Sequence, residues 1–169
     1  TEIPRNTLTP AQQRTIIKSR WVHVQKGQEV RSRLVAKGYS QTVNDLDEVY
    51  ASTPSLTSLL TLLTVALSRN WLVTTGDVST AFLHAAPTTS CDEQLYMEPP
   101  PKYYNGDTVW LLRKAMYGLR TSPRAWQLHL ADVLHELGLQ RCKSDSNVYF
   151  DYRTSCYLLV YVDDILGCG

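Results

Sequence analysis

Two adjacent aspartates, Asp163 and Asp164, lie in the middle of the apolar run YLLVYVDDILG (157–167). A third aspartate, Asp77, ends another hydrophobic segment, WLVTTGD (71–77). Ionised carboxylates among apolar residues are unfavourable unless something compensates their charge. Mg²⁺ suits this role, because it binds oxygen ligands and is usually held by one or two carboxylates together with substrate phosphates. The pattern indicates a divalent-cation site, and a simple hairpin turn, where aspartate is common, is the structural alternative.

Strand geometry limits how these carboxylates can meet. Neighbouring side chains of a strand face opposite sides, so Asp163 and Asp164 point at one site only if a turn twists them. We expect Asp163 to be the direct ligand, and Asp164 to lie behind it or to reach the site from the turn. Asp77 can join them only if its strand is a neighbour in the same sheet. The four histidines show no zinc-ligand spacing and offer no competing metal site.

The segment RWVHVQKGQEVRSRLVAKG (20–38) predicts a β-hairpin, because two alternating runs flank Gly27. Alternation separates the side chains of the second strand into two faces. One face carries Arg31, Arg33, Val35 and Lys37, and the other carries Val30, Leu34 and Ala36. We expect the apolar face to join the core and the basic face to present cations, with a solvated edge strand as the alternative.

Two helices are predicted from caps and periodicity. Thr53 can cap the first helix, Pro54 suits its first position, and helical spacing continues to Asn70. Its predicted core face consists of Leu56, Leu59, Leu60, Leu63 and Leu67. Ser122 caps the second helix, Pro123 opens it and Gly138 ends it. The predicted core face of the second helix consists of Trp126, Leu130, Val133, Leu134 and Leu137.

The remaining segments complete the architecture. Residues 71–85 are expected to begin as a buried strand and turn helical after Asp77, and residues 147–169 read as two or three antiparallel strands. The order β-β-α-β-α-β-α-β-β indicates an α+β domain with an antiparallel sheet packed on helices. Residues 1–20 form a polar lead-in, expected to be weakly structured, and residues 21–169 form the domain itself.

Composition narrows the class of protein. The chain has 169 residues, 43% of them hydrophobic, which is enough for one domain with a real core. No apolar run reaches the roughly 18 residues of a membrane span, and the beginning of the sequence lacks a signal-peptide core. The four cysteines, Cys91, Cys142, Cys156 and Cys168, form no C-x-x-C pair, so we expect reduced thiols in an intracellular compartment.

The net charge of +1 conceals an uneven distribution. Residues 1–40 contain eight Lys or Arg and two acidic residues, whereas residues 38–112 contain two basic and eight acidic ones. Residues 113–143 are basic again, with six Lys or Arg against two acids. This separation suits a protein that grips an anion with one surface and carries a metal on another, with ordinary surface variation as the alternative.

The aspartate pair belongs to a set of motifs in a recognisable order. YVDD (161–164) matches the tyrosine-x-aspartate-aspartate box of reverse transcriptases. Four further segments accompany it: RSRLVAKGYSQ (31–41), GDVSTAFLHA (76–85), EQLYMEPP (93–100) and VWLLRKAMYGLRTSPRAW (109–126). In this order and spacing, from about Trp21 to Gly169, the sequence closely resembles the copia-type retrotransposon reverse transcriptases. The resemblance implies the fingers and palm of a right-hand polymerase.

The resemblance also implies roles for individual residues. Asp77 and Asp163 match the two metal-binding aspartates, Asp164 is the supporting third carboxylate, and the Val78 carbonyl is a further metal ligand. Two Mg²⁺ ions are implied, with Mn²⁺ as a possible substitute. Phe82 matches the aromatic gate that clashes with a ribose 2′-OH; taken by itself it would be a core aromatic.

Further implied roles concern nucleotide and nucleic acid. Tyr117 and Gly118 lie in the stretch that resembles the loop beneath the nascent base pair, and Gly118 allows close backbone approach. The basic strand of Arg31, Arg33 and Lys37 matches the family's fingers, where one or more residues touch the triphosphate or template. Arg120 and Arg124 are candidate contacts to the nucleic-acid backbone, with a solvated surface as the alternative.

Together these roles imply an RNA-directed DNA polymerase that joins a dNTP to a primer 3′-OH on an RNA or DNA template. The family also has a thumb and an RNase H domain, which we expect in the rest of a longer polyprotein. The alternative is a truncated relic that binds nucleic acid through its basic strand and does not catalyse. Replication in a cytoplasmic virus-like particle, with no membrane partner, is implied by the family alone.

Overall fold

The computed structural model describes residues 1–41, 49–87 and 94–169, which form two compact units. Unit 1 comprises residues 1–49 and 82–125, and unit 2 comprises residues 50–81 and 126–169. Both units combine short helices with antiparallel sheets, so the predicted α+β class is confirmed. Cys142, Cys156 and Cys168 are free thiols, as expected, whereas Cys91 lies outside the described residues.

Unit 1 contains two small antiparallel sheets. The first has the order β1-β6-β5, formed by β1 (Glu2–Pro4), β5 (Tyr96–Met97) and β6 (Thr108–Leu111). The second is the hairpin of β2 (Ser19–Lys26) and β3 (Glu29–Ala36). A bridge between Ile17 and Met97 links the segment before β2 to the first sheet, and both side chains are buried in the same apolar cluster.

The first twenty residues are ordered, so the expectation of a weakly structured lead-in is wrong. β1 pairs with β6, and α1 (Pro10–Arg14) begins at a capping box in which the side chains of Thr9 and Gln12 bond each other's backbone N–H. Leu8 and Ile17 are buried. The segment looks polar because its few apolar residues lack a regular period, and its strand partner lies about a hundred positions away in the sequence.

The β2–β3 hairpin forms as predicted, with Gly27 in the turn at a φ of +62°. Its burial is different from the expectation. Only the base of the hairpin is covered, where Ala36 is buried, whereas Val30 on the predicted core face is 59% exposed. Both faces of the outer half therefore meet solvent, and Arg31 and Arg33 are exposed on one of them.

Unit 2 is built on a five-stranded antiparallel sheet of order β4-β10-β9-β8-β7. Its strands are β4 (Val73–Asp77), β7 (Gln140–Arg141), β8 (Val148–Asp151), β9 (Cys156–Tyr161) and β10 (Asp164–Cys168). Two or three antiparallel strands were expected within residues 147–169, and the structure has three, β8, β9 and β10. β4 is the edge strand and all its residues are exposed, so the expectation of a buried strand is wrong. A 3₁₀ turn at Ala81–His84 follows it.

The first predicted helix is α2 (Leu56–Ser68), but its cap and its buried face differ from the prediction. Ser55 caps it rather than Thr53, through a hydrogen bond from the Ser58 N–H. Leu62 and Ala66 are buried against Val148, Leu159 and Cys168 of the sheet. Three leucines predicted for the core, Leu56, Leu60 and Leu67, are more than half exposed. The helix is apolar on most sides, so periodicity alone could not select the buried face.

The second predicted helix is α3 (Ser122–Glu136). Its residues 122–125 belong to unit 1 and its remaining turns to unit 2. Trp126, Leu130 and Leu134 are buried as predicted, whereas Val133 and Leu137 are 36% and 68% exposed. Gly138, at a φ of +90°, ends the helix as expected.

Asp145 fixes the beginning of α2. Its carboxylate accepts hydrogen bonds from the Ser55 N–H at 2.9 Å and from the Ser58 hydroxyl at 2.6 Å. Partial burial acts to raise the pKa of Asp145, but the hydrogen bonds from Ser58, Ser55 and Asn147 outweigh it and lower the pKa below its usual value. The ionised carboxylate therefore stabilises unit 2.

This lowered pKa predicts acid sensitivity. A carboxyl whose pKa is lower in the folded state stabilises the fold above its unfolded pKa, and the contribution is lost as the pH falls through the folded pKa. We expect Asp145→Asn to lower the melting temperature at pH 7, and this penalty to shrink below about pH 4. Thermal unfolding of both proteins from pH 7 to pH 3 measures it. A penalty that stays constant over this range would contradict the prediction.

Candidate functional site

The three predicted carboxylates lie on adjoining segments of unit 2. β4 and β10 are neighbours in the sheet, and their register places Asp77 opposite Asp164. Directly opposed residues of an antiparallel pair project to the same face, so these two side chains share a face at the end of the sheet. The Val78 N–H donates a hydrogen bond to the Asp163 carbonyl at 2.8 Å, which extends the contact beyond the strand. The expected adjacency of the two strands is confirmed.

Asp163 lies in the two-residue turn between β9 and β10. We call the segment Tyr161–Asp164 the aspartate turn; Tyr161 and Asp164 are paired at its ends. Val162, its first central residue, has a φ of +56°. This region is strained for a β-branched side chain and costs on the order of 1–3 kcal/mol. The two aspartates were expected to reach one site only if this turn twisted them, and the chain departs from strand geometry at Val162.

These residues fit a divalent ion by the chemistry of their donors. Asp77 and Asp164 are exposed and Asp163 is half-buried, so carboxylate oxygens are accessible on adjoining backbone segments. Within residues 1–41, 49–87 and 94–169, no group of three or more His, Cys, Asp and Glu side chains forms a ready-made metal cage. Mg²⁺ does not need one, because one or two carboxylates and substrate phosphates usually complete its shell.

Unit 1 brings together three of the residues predicted to bind nucleotide. The rings of Phe82 and Tyr117 meet edge to face, with centroids 5.0 Å apart. The Arg33 guanidinium lies over the Tyr117 ring, 5.3 Å from its centroid. Phe82 also packs against a cluster of three buried alanines, Ala85, Ala115 and Ala125, and this contact fixes its position. We call Arg33, Tyr117 and Phe82 the stack: a cation over one aromatic ring, which meets a second ring edge to face.

Two glycines allow the stack to form. The Tyr117 carbonyl accepts a hydrogen bond from the Ala36 N–H at 2.8 Å, at the base of the hairpin. A Cβ atom on Gly118 would overlap the Ala36 carbonyl oxygen, and a Cβ atom on Gly38 would overlap the Gly118 carbonyl oxygen. Gly118 therefore allows a close backbone approach to β3, with Gly38 as a second participant, and its predicted place beneath a base pair stays a prediction. Only residues without a side chain bring the loop this close to β3.

The other predicted basic residues of unit 1 lie outside the stack. Arg31 is exposed two positions nearer the hairpin tip than Arg33, and Lys37 is half-buried just after β3. Arg120 is exposed, and its backbone N–H donates to the Gln41 side chain at 2.9 Å. Arg124 is half-buried in the first turn of α3.

Two residues beside the candidate sites were not predicted from the sequence. Arg20 is exposed opposite Val35 in the hairpin register, on the same face as Arg31 and Arg33. Counting back across the turn at Gly27 would have found it. Trp126 was predicted as a core residue only, but its indole N–H donates a hydrogen bond of 2.6 Å to the Val162 carbonyl in the aspartate turn. No local pattern announces that contact, because the two residues are 36 positions apart.

Comparison with known families identifies the family of the chain. The family described as reverse transcriptase (RNA-dependent DNA polymerase) matches residues 6–169. The chain belongs to this family, whose match includes the aspartate turn, the stack and most of the segment expected to be a lead-in.

Three of the relatives are Pol polyproteins of transposons. The retrovirus-related Pol polyproteins from transposons RE1 and RE2 of Arabidopsis thaliana are each 36% identical over 167 residues, which cover 92% of this chain and 11% of the relative. The Pol polyprotein from transposon TNT 1-94 of Nicotiana tabacum is 34% identical over 146 residues, covering 82% of this chain and 11% of the relative. The resemblance to copia-type reverse transcriptases is confirmed, and the chain spans about a tenth of each of these relatives.

No solved structure matches the chain. None of the helices in the described part of the chain is long and apolar enough to cross a membrane.

Proposed function

We propose that this chain carries the nucleotidyl-transfer site of an RNA-directed DNA polymerase. The observation that supports this most directly is the pairing of Asp77 with Asp164, together with the hydrogen bond from Val78 to Asp163. These contacts bring residues from distant parts of the sequence, each matching a metal-binding position of the family, onto adjoining backbone. A hairpin turn that merely favoured aspartate would not need a third aspartate on the neighbouring strand.

Asp77, Asp163 and Asp164, with the Val78 carbonyl, are the groups we propose to hold Mg²⁺. When bound, the ions would stabilise the charge that develops as the primer 3′-OH attacks the α-phosphorus of a dNTP and pyrophosphate leaves. The protein's own contribution is to hold its carboxylates rigidly on the sheet and turn, because phosphoryl transfer depends mainly on positioning and on charge. The apolar residues that flank the aspartate turn help to hold the carboxylates in position.

The stack in unit 1 is proposed to bind the nucleotide. Arg33 presents a guanidinium, which suits a triphosphate because it donates bidentate hydrogen bonds to phosphate oxygens. The sequence did not distinguish among Arg31, Arg33 and Lys37, and the contact with Tyr117 favours Arg33. Phe82, held against Tyr117, is proposed as the gate that disfavours a ribose 2′-OH.

The two units have proposed counterparts in a right-hand polymerase. The β2–β3 hairpin of unit 1 corresponds to the fingers, and the sheet of unit 2 that carries the aspartates corresponds to the palm. Template and primer are the proposed partners, with Arg120 and Arg124 as candidate backbone contacts. The relatives are far longer than this chain, which supports its being part of a polyprotein that supplies a thumb and an RNase H domain. Replication in a cytoplasmic particle stays a prediction.

Primer extension tests the proposed function. This chain, and a longer polypeptide that continues past Gly169, are incubated with an RNA template, a DNA primer and dNTPs. We expect extension that requires Mg²⁺ or Mn²⁺ and stops when EDTA is added. If only the longer polypeptide extends the primer, contacts with template and primer that extension requires lie outside this chain. Retained nucleic-acid binding without extension by either one would favour the non-catalytic relic instead.

The proposed role of Arg33 gives a separate prediction. Arg33→Ala removes a charged donor, and hydrogen bonds to charged groups contribute about 1.5–3 kcal/mol. We expect the KM for dNTP to rise about ten- to a hundredfold while kcat changes much less. Steady-state primer extension with varied dNTP measures both constants.

Arg31→Ala is the matched control, because Arg31 lies on the same face without the contact to Tyr117. Its effect on KM should be small at constant ionic strength. Equal effects of both substitutions would show that the face acts through its overall charge and that the stack does not select Arg33.

A further inference from the structure

The aspartate turn adopts a conformation that its first central residue disfavours. Val162 has a positive φ, and Asp163 is not among the residues with a positive φ. In two-residue hairpin turns, a positive φ at the first central position alone is typical of type II′, whereas type I′ has positive φ at both. Type II′ normally requires glycine at its first position. With valine there, something outside the turn must select this form.

Trp126 makes a contact from outside the turn that selects this form. Its indole N–H donates to the Val162 carbonyl at 2.6 Å, and its side chain is only 4% exposed, so the donor is fixed by packing in α3. The carbonyl belongs to the peptide plane that joins Val162 to Asp163. Rotation of this plane changes ψ of Val162 and φ of Asp163, and converts type II′ into type I′. The φ of Asp163 in turn decides where its side chain points.

The peptide group on the other side of Asp163 is also held. Its carbonyl accepts the hydrogen bond from the Val78 N–H, directly after β4. Both peptide planes that flank Asp163 are therefore fixed by residues distant in sequence, one from α3 and one next to Asp77. An aspartate restrained in this way keeps one side-chain direction without help from its own turn.

We propose that Trp126 is a positioning residue, whose indole N–H holds the Val162 carbonyl and thereby sets the direction of the Asp163 carboxylate. This inference rests on the proposed function and adds to it a residue that touches neither nucleotide nor metal. The tryptophan selects the turn form that valine disfavours, so the direction of the carboxylate depends on α3.

Three variants test the proposal: Trp126→Phe, Val162→Gly and the double substitution. Phenylalanine keeps an aromatic ring and removes the N–H donor, whereas glycine favours type II′ without any donor. Hydrogen exchange is measured by NMR on the metal-free protein at the Val78 amide, which bonds the Asp163 carbonyl. Mn²⁺ affinity is measured by electron paramagnetic resonance, with the metal alone as the probe.

We expect Trp126→Phe to speed exchange at Val78 about tenfold, as for the loss of one hydrogen bond, and to weaken Mn²⁺ binding by a similar factor. Amides of β8 and β9 should be unaffected. In primer extension, kcat should fall while the KM for dNTP stays unchanged. The double variant should recover slow exchange and Mn²⁺ affinity, because glycine restores the turn.

The outcomes separate this proposal from the proposed function. A chain that shows the expected exchange and Mn²⁺ effects but never extends a primer contradicts the polymerase and leaves the positioning role supported. Unchanged exchange and Mn²⁺ affinity in a folded Trp126→Phe variant overturn the positioning role. If that variant does not fold, the double variant decides: it must fold and protect Val78, and failure of either means that Trp126 serves packing alone.

Discussion

Replacing Asp163 by asparagine is expected to abolish Mg²⁺-dependent primer extension while leaving the fold intact. Asparagine keeps the size of the side chain and one oxygen, but it removes the negative charge that a divalent ion needs. Groups that stabilise the developing charge in phosphoryl and acyl transfer contribute about 10²–10⁵-fold to the rate. We therefore expect kcat to fall by about 10²–10⁵-fold, with the same result for Asp77→Asn.

Stability should respond in the opposite way. Asp163 is followed by Asp164, which is paired with Asp77, so the ion-free protein gathers like charges at one end of the sheet. Removing one of them relieves repulsion. The melting temperature of the ion-free Asp163→Asn protein should equal or slightly exceed that of the native protein, and the rise in melting temperature on adding Mn²⁺ should disappear.

Asp151→Asn is a matched control from the same sheet. Asp151 also lies at the end of a strand next to a hairpin, and it pairs with the exposed Arg153 at 3.1 Å. Surface ion pairs of this kind contribute little to stability. The control should keep primer extension and the Mn²⁺ effect. Retained extension by Asp163→Asn, or equal losses in both variants, would refute the assigned role of Asp163.

The features that the sequence predicted well are those encoded by local patterns. Alternation around Gly27 predicts the β2–β3 hairpin, and Pro123 and Gly138 predict where α3 begins and ends. Asp77 could join the aspartate pair only if their strands were neighbours, and β4 and β10 meet this condition. Asp164, expected to play a supporting part, is the residue directly opposite Asp77. The predicted division of roles between Asp163 and Asp164 stays a prediction.

The features that escaped prediction depend on contacts between distant residues. β1 is ordered by pairing with β6, so the composition of residues 1–20 says little about their structure. The buried face of α2 is chosen by the sheet beneath it, because leucines lie on most sides of the helix. Trp126 reads as one more apolar position of α3, and its hydrogen bond to Val162 emerges only when the chain is folded.

The close approach of Gly118 to the Ala36 carbonyl of β3 makes a substitution at Gly118 the change with the largest expected effect on stability. Gly118→Ala would place a methyl group against the Ala36 carbonyl, at a φ of +89°. Overpacking costs about 1–3 kcal/mol and the left-handed backbone about 1–2 kcal/mol more for a residue with a Cβ. We expect a loss of about 2–5 kcal/mol, which corresponds to a fall in melting temperature of roughly 4–20 °C for a protein of this size. Thermal and urea unfolding measure it.

Gly106→Ala separates the two causes. Gly106 has nearly the same φ, +86°, but a Cβ atom there would meet nothing within 4 Å. It should therefore show only the backbone cost of about 1–2 kcal/mol. Gly38→Ala would strike the Gly118 carbonyl without a left-handed backbone, so it should show only the overpacking cost of about 1–3 kcal/mol. If Gly118→Ala cost no more than Gly106→Ala, the loop would not need to lie against β3. In that case the hydrogen bond from the Ala36 N–H to the Tyr117 carbonyl, which depends on this close approach, would not be what fixes Tyr117 in the stack.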